Sequence, residues 1–252
     1  MKTTAKRQRP AAILLALAAV VSGCSTIESG DVETSGMTAS IEVKAKADGS
    51  ATDVFASISS GTLTTVDLDG DDQLVASSGD VSVDLEENNL LGVVTYAGSL
   101  TGISAPGTEV NVAFNRSADK TPAPLSTVAL PVPLDISAPA AGTSFSRADD
   151  DIEVVLESDA SDDAVTVRWA GDCIDTGSLD VPAGQATVTI NKGTIEKRAQ
   201  ADANDPDSEP VPDTCTITVT AQRRVEGTLD PAWGGGQIVA VSSATRDLGT
   251  AP

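Results

Sequence analysis

From Met37 onward the chain is written in short stretches that alternate apolar with polar residues, and a period of two permits few ways to build a core. Ser40-Ile-Glu-Val-Lys44, Val81-Ser-Val-Asp-Leu85, Glu109-Val-Asn-Val-Ala-Phe114, Ile152-Glu-Val-Val-Leu156, Val165-Thr-Val-Arg-Trp169, Ala186-Thr-Val-Thr-Ile190 and Cys215-Thr-Ile-Thr-Val-Thr220 all follow it. Such a run buries one face of a strand and wets the other. Gly, Asp, Asn, Ser and Pro punctuate the runs, and no long helical pattern follows residue 23. Many short strands joined by turn residues predict an all-β fold, built as antiparallel sandwiches or barrels.

Proline divides the pattern. Residues Pro122 to Pro139 hold five prolines in 18 positions, and proline is excluded from central strands because it cannot donate to a ladder. The segment therefore reads as an edge strand running into a linker, with a boundary near residue 137 between units spanning 38–136 and 137–249. A faint repeat supports two units. Asn111–Arg116, a Pro-Ala-Pro loop and Ser126–Leu130 are echoed by Ile217–Arg224, Asp230-Pro-Ala232 and Gln237–Val241, so that each unit closes with a similar hairpin.

The N-terminus follows another logic. Lys2, Lys6, Arg7 and Arg9 precede the apolar run Ala11–Val21, and no acid occurs among the first 23 residues. Eleven apolar residues are too few to cross a bilayer, which needs about 20, and they match the core of a secretory signal. The next residues, Val21-Ser22-Gly23-Cys24, resemble the lipobox of bacterial lipoproteins. That resemblance implies cleavage after residue 23 and acylation of Cys24. Each buried methylene adds about 0.8 kcal/mol, so two or three acyl chains anchor stably. Ser25, standing where an aspartate would mark inner-membrane retention in Gram-negative bacteria, favours the outer membrane, on its periplasmic face or at the cell surface. Residues 24–37 are small and acidic, and read as a flexible tether behind the anchor. With Cys24 assigned, Cys173 and Cys215 remain in an exported chain, where they are expected to pair; the alternative is two free thiols in a reducing compartment.

Within each unit the strand spacing resembles immunoglobulin-like or fibronectin-like modules of bacterial envelope proteins. Ile136–Phe145 is similar to the proline-bearing first strand of such a module, and Trp169 is expected in the core beside the disulfide. Antibody-type domains place the tryptophan between the two cysteines, whereas here it precedes both.

Charge and composition remove several functions. The chain has 37 acidic and 16 basic side chains, a net charge of −21 and no histidine. Beyond residue 23 only 12 basic residues face all 37 acids, a balance that repels nucleic acid. Without histidine there is no imidazole base, Ser-His-Asp triad or His-ligated zinc.

Four features invite chemistry. Asp175-Thr-Gly-Ser178 matches the local signature of aspartic proteases, but no second copy supplies the partner carboxylate, so a turn is the better reading. Asp69, Asp71 and Asp72 are weak calcium candidates; an EF-hand would need glycine where Asp72 stands and glutamate where Ser78 stands. The simpler account is a hairpin turn between Leu63–Leu68 and Gln73–Ser77. Asp149, Asp150 and Asp151, with Asp159, Asp162 and Asp163 across a strand, are weak metal candidates too, and solvated surface is the alternative. The acidic loop from Ala201 to Asp213 reads as an excursion between the cysteines. Among six aromatic residues, Trp233, beside Pro231 and Gly234-Gly-Gly236, is the candidate sugar platform; the competing reading is a ring folded back to plug the end of a sandwich.

The sum is a non-enzymatic, membrane-anchored envelope lipoprotein with a structural or binding role, no cofactor, no nucleic-acid partner, and an envelope protein as a candidate partner. The alternative is a calcium- or carbohydrate-binding or hydrolytic surface module.

Overall fold

The computed structural model describes residues 25–62, 64–90, 92–117, 119–157, 163–200 and 210–252. Residues 1–23, where a signal is expected, and Cys24, Asp159 and Asp162, and residues 201–209 of the acidic loop lie outside the described residues. In the first half the strands are β1 (Ser25–Glu28), β2 (Thr38–Ala45), β3 (Ala51–Ser59), β4 (Thr64–Asp67), β5 (Gln73–Ser78), β6 (Val81–Asp84), β7 (Glu86–Leu90), β8 (Val93–Thr101), β9 (Glu109–Asn115) and β10 (Ala123–Ala129). The second half adds β11 (Asp135–Ala138), β12 (Ser144–Ser146), β13 (Ile152–Glu157), β14 (Val165–Gly171), β15 (Gly177–Val181), β16 (Thr187–Ile190), β17 (Thr216–Glu226) and β18 (Gly235–Ala251). The described fold is all-β, with three sheets and two single-turn 3-10 segments at Ser29–Asp31 and Thr34–Gly36.

One large sheet runs β1-β4-β3-β2-β18-β17-β14-β15, with β8 and β7 extending from β3 and β12 from the end of β18. A four-stranded sheet, β10-β9-β5-β6, and a three-stranded sheet, β11-β13-β16, supply the other layer. The predicted alternation is realised: in β2, Ala39, Ile41 and Val43 are buried while Ser40, Glu42 and Lys44 face outward. In β14 the inward residues are Val165, Val167 and Trp169.

The inner face of the large sheet covers two hydrophobic clusters. The first joins Ile41, Val54, Tyr96 and Ile238 to Leu74, Val112, Phe114 and Val128 of the four-stranded sheet. The second joins Val167, Trp169, Val219 and Leu248 to Ile136, Val154 and Ile190 of the three-stranded sheet. Strand β18 serves both, because its inward positions keep one parity along 17 residues: Ile238 and Ala240 lie in the first cluster, Leu248 in the second. Between them the inward positions turn polar. Arg223 and Ser242 are cross-strand partners. Arg223 Nη1 donates to Val132 O at 2.8 Å, and Ser242 Oγ accepts from Leu134 N at 2.9 Å. The linker thus crosses from one cluster to the other over the two side chains that satisfy its backbone. Arg223 is buried, and that burial pulls its guanidinium below the usual arginine range, opposed by the charge of Asp163.

Three expectations change here. Pairing is mixed: β1–β4, β2–β18 and β12–β18 are parallel. The first core does not close at residue 137, because Trp233, Ile238 and Ala240 return from beyond residue 229 to complete it. The segment after Cys24 is no free tether. Strand β1 pairs with β4, and Ser29, Thr34 and Met37 are buried. Small, acidic composition describes a linker and also describes a segment whose polar groups are bonded one by one, and only the partners tell the two apart. The proline-bearing strand β10, by contrast, does lie at a sheet edge.

Candidate functional site

The densest polar constellation fastens this N-terminal segment to the body. Arg116, just beyond β9, aims its guanidinium N–H groups at four acceptors. Its Nε lies 3.0 Å and its Nη2 2.9 Å from Asp72 Oδ2. Nη1 donates to Val32 O at 3.0 Å and Thr34 Oγ1 at 3.1 Å, and Nη2 to Ser29 O at 2.6 Å. Both charged side chains are essentially excluded from water, at 0% and 2% exposure. The guanidinium also sits 5.0 Å above the Phe114 ring, and Phe114 stacks on Trp233 with centroids 4.9 Å apart and planes 9° from parallel. Asp72, Arg116, Phe114 and Trp233 therefore form one column from the N-terminal segment into the first core, combining a charge-assisted pair with a cation–π contact.

Of the calcium candidates, Asp69 and Asp72 are consumed by this clamp, while Asp71 is exposed at the turn. Asp72 Oδ1 accepts from Ser117 N at 2.9 Å. Ser29 Oγ lies 2.8 Å from both Asp69 Oδ1 and Asp72 Oδ2, its single proton shared between them, and Gly30 N donates to Asp69 Oδ1 at 2.7 Å. Among the described residues no group of His, Cys, Asp and Glu has the arrangement of a metal site. The turn at Asp69–Asp72 exists, with Gly70 at φ +61° and Asp72 N donating to Asp69 O at 3.1 Å. It is not a hairpin, however: β4 belongs to the large sheet and β5 to the four-stranded one, so the turn carries the chain between layers.

The Ser29 hydroxyl and then the Gly30 N–H hold the Asp69 carboxyl below the ordinary aspartate value of 3.8. A depressed folded-state pKa contributes stability that is present above the unfolded value and lost as pH falls through the folded one. Asp69 should therefore titrate below 3.8 by carboxyl NMR, and Ser29→Ala should raise that midpoint towards it. An unchanged midpoint in the variant would remove Ser29 as the cause.

The other candidates are placed as follows. Trp233 is 7% exposed and packed in the first cluster, so it offers no platform for a sugar; the ring plugs the core from the β17–β18 connection. That connection is itself tied down, since Asp230 Oδ2 accepts from Leu125 N at 2.8 Å and Oδ1 from Ala232 N at 2.8 Å. Asp149 and Asp150 close a turn on Ser146, whose N–H donates to Asp150 Oδ2 at 2.7 Å, and Asp151 Oδ1 accepts from Lys192 N at 2.7 Å. Asp149 and Asp150 thus bond local backbone and hydroxyl groups, as turn residues do, while Asp151 holds the backbone of a segment 41 residues on. Asp175 is exposed in the connection to edge strand β15. Cys173 and Cys215 are disulfide-bonded, Cα atoms 5.8 Å apart, at the far end of the second cluster, which also holds Trp169. Opposite Trp169 stands Gly177, where a Cβ would meet the indole at 2.3 Å.

Sequence reasoning missed Arg116 and Ser29. A lone arginine after an apolar strand carries no local signal, and its four hydrogen-bonding partners come from distant stretches of chain. A groove of about 1040 Å3 also opens where the two clusters meet, with Lys44, Lys46, Phe55, Asp135 and Glu157 on its walls. Phe55 is 49% exposed and is the one aromatic ring presented to solvent among the described residues. No protein-family model matches the chain, and no curated protein matches it.

Proposed function

We propose that this chain is a lipid-anchored protein of the bacterial envelope, with a structural or binding role rather than a catalytic one. The observation that carries the reading is Val21-Ser22-Gly23-Cys24, preceded by a basic and then an apolar stretch and followed at once by β1. In this reading Cys24 bears the acyl chains. Because Ser25 already pairs with Thr64, the body is held against the membrane surface rather than on a leash. The two clusters are the cores of two β-sandwich units of immunoglobulin-like kind that share β18, the second stapled by its disulfide. A net charge of −21 argues for partners other than nucleic acid. The calcium and carbohydrate alternatives lose support, since Asp69, Asp72, Asp149, Asp150 and Asp151 bond to the protein's own donors and Trp233 is buried.

Cys24→Ala is the test. The parent protein should enter the detergent phase of a Triton X-114 partition and incorporate labelled palmitate in cells. The variant should do neither and should accumulate with its signal uncleaved. A parent protein that stays in the aqueous phase without label would sink the reading.

A further inference from the structure

Register places several strand ends at one end of the large sheet. Strand β2 begins at Thr38 opposite Ser59, where β3 finishes, and β18 begins at Gly235 opposite Thr38. Strand β4 starts at Thr64, whose carbonyl accepts from Ser60 N at 2.9 Å, and Ser25 lies beside Thr64 with their hydroxyls 2.8 Å apart. The β7–β8 hairpin reaches the same place: Thr65 Oγ1 donates to Gly92 O at 3.4 Å. Tyr96, one turn of the pleat further in, holds β8 to β4 by donating to Val66 O at 3.1 Å and accepting from Leu68 N at 2.9 Å. The hairpin tip is thus fixed next to the residue that follows Cys24.

That tip is unlike the rest of the surface. Leu90 is 69% and Val93 43% exposed, two of the four large apolar side chains so presented among the described residues. Both lie within a run from residue 88 to 108 without a single charged side chain, and the neighbouring β3–β4 turn lies in a second such run, 54–66. In a chain that is 21% charged and strongly acidic, an uncharged apolar tip is the part that an anionic headgroup layer repels least and an acyl boundary solvates best.

We infer that the β7–β8 tip, through Leu90 and Val93, inserts into the lipid surface beside the acylated Cys24 as a second membrane contact that fixes the orientation of the body. The inference rests on the lipid-anchor reading. It stands the molecule on end: β18 runs away from the membrane, and the disulfide-bonded end lies on the order of 45 Å out, at about 3.3 Å per strand residue. The second unit is then the part held out to a partner.

The experiment uses the full lipidated chain in vesicles of phosphatidylcholine and phosphatidylglycerol, with and without brominated acyl chains. Leu90→Trp reports on the tip, Thr214→Trp on the exposed far end, and the parent signal from the buried Trp169 and Trp233 is subtracted. Leu90→Trp should show emission shifted to the blue and quenched at least twofold by brominated lipid, while Thr214→Trp stays unquenched. A vesicle-bound Leu90→Trp protein without quenching overturns the tip insertion and leaves the anchor standing. A blue shift without quenching also overturns it, by showing that protein covers the tip. A parent chain that does not float with vesicles overturns the anchor, and the insertion with it.

Discussion

Replacing Arg116 by alanine should cost about 3–5 kcal/mol of stability, the range for removing one partner of a buried ion pair. The cost arises because the Asp72 carboxylate, 2% exposed, is left without its counter-charge, and because Ser29 O, Val32 O and Thr34 Oγ1 lose their donor. Guanidinium chloride unfolding measures the total. Limited proteolysis localises it, since residues 29–36 should become cleavable while the sheets remain intact. Arg116→Lys should recover only part of the loss, because an ammonium keeps the charge but cannot reproduce a planar five-donor fork. The double variant with Asp72→Ala should cost less than the two single changes together, because no charge is then buried alone. A loss below about 1 kcal/mol for Arg116→Ala would mean that the N-terminal segment is held by β1 pairing alone, against the buried-pair range.

Reducing the disulfide should have an effect of similar size. Cys173 and Cys215 are 42 residues apart, and closing a loop of that length in the unfolded chain is worth about 4 kcal/mol in the chain-entropy account. For a chain of this size that corresponds to a fall in Tm of roughly 8–16 °C. The loss should fall mainly on the second cluster, because Cys173 is wholly buried there and the first cluster contains neither cysteine. Hydrogen exchange with and without reductant separates the two: amides of β14 and β17 near the bridge should lose protection before those of β3 and β9. Equal loss throughout would mean that β18 couples the two clusters into one cooperative unit.

These two predictions also mark the limits of local reasoning. The all-β class was legible because alternation is a local property: Ile41 and Val43 face one way whatever lies across from them. The edge position of β10 was legible for the same reason, since Pro124 has no N–H to give. The cysteine pair could be read by counting once Cys24 was assigned to the anchor. Trp169 could be expected in a core because large apolar rings are costly to leave in water.

The candidate site was another matter. Asp69 and Asp72 look in sequence like ligands waiting for a cation, and in the fold their partners are Ser29, Gly30, Ser117 and Arg116. Trp233 admits in sequence either an exposed ring or one folded back to plug the sandwich end, and in the fold it is the plug, lying on Phe114. Both depend on pairings between residues 40 to more than 100 positions apart, which leave no periodic trace. The return of β18 to the first core was hidden in the same way. Prolines mark where the chain leaves the first core, but nothing nearby records that β18, 100 residues later, comes back to line it.

What the amino-acid order decides alone is therefore everything set by neighbours: strand, turn, edge and net charge. What only the folded chain decides is who meets whom. A carboxylate's meaning, as ligand or as clamp, is set by the donors that tertiary contacts bring to it, because a charge excluded from water is stable only with its partner in place.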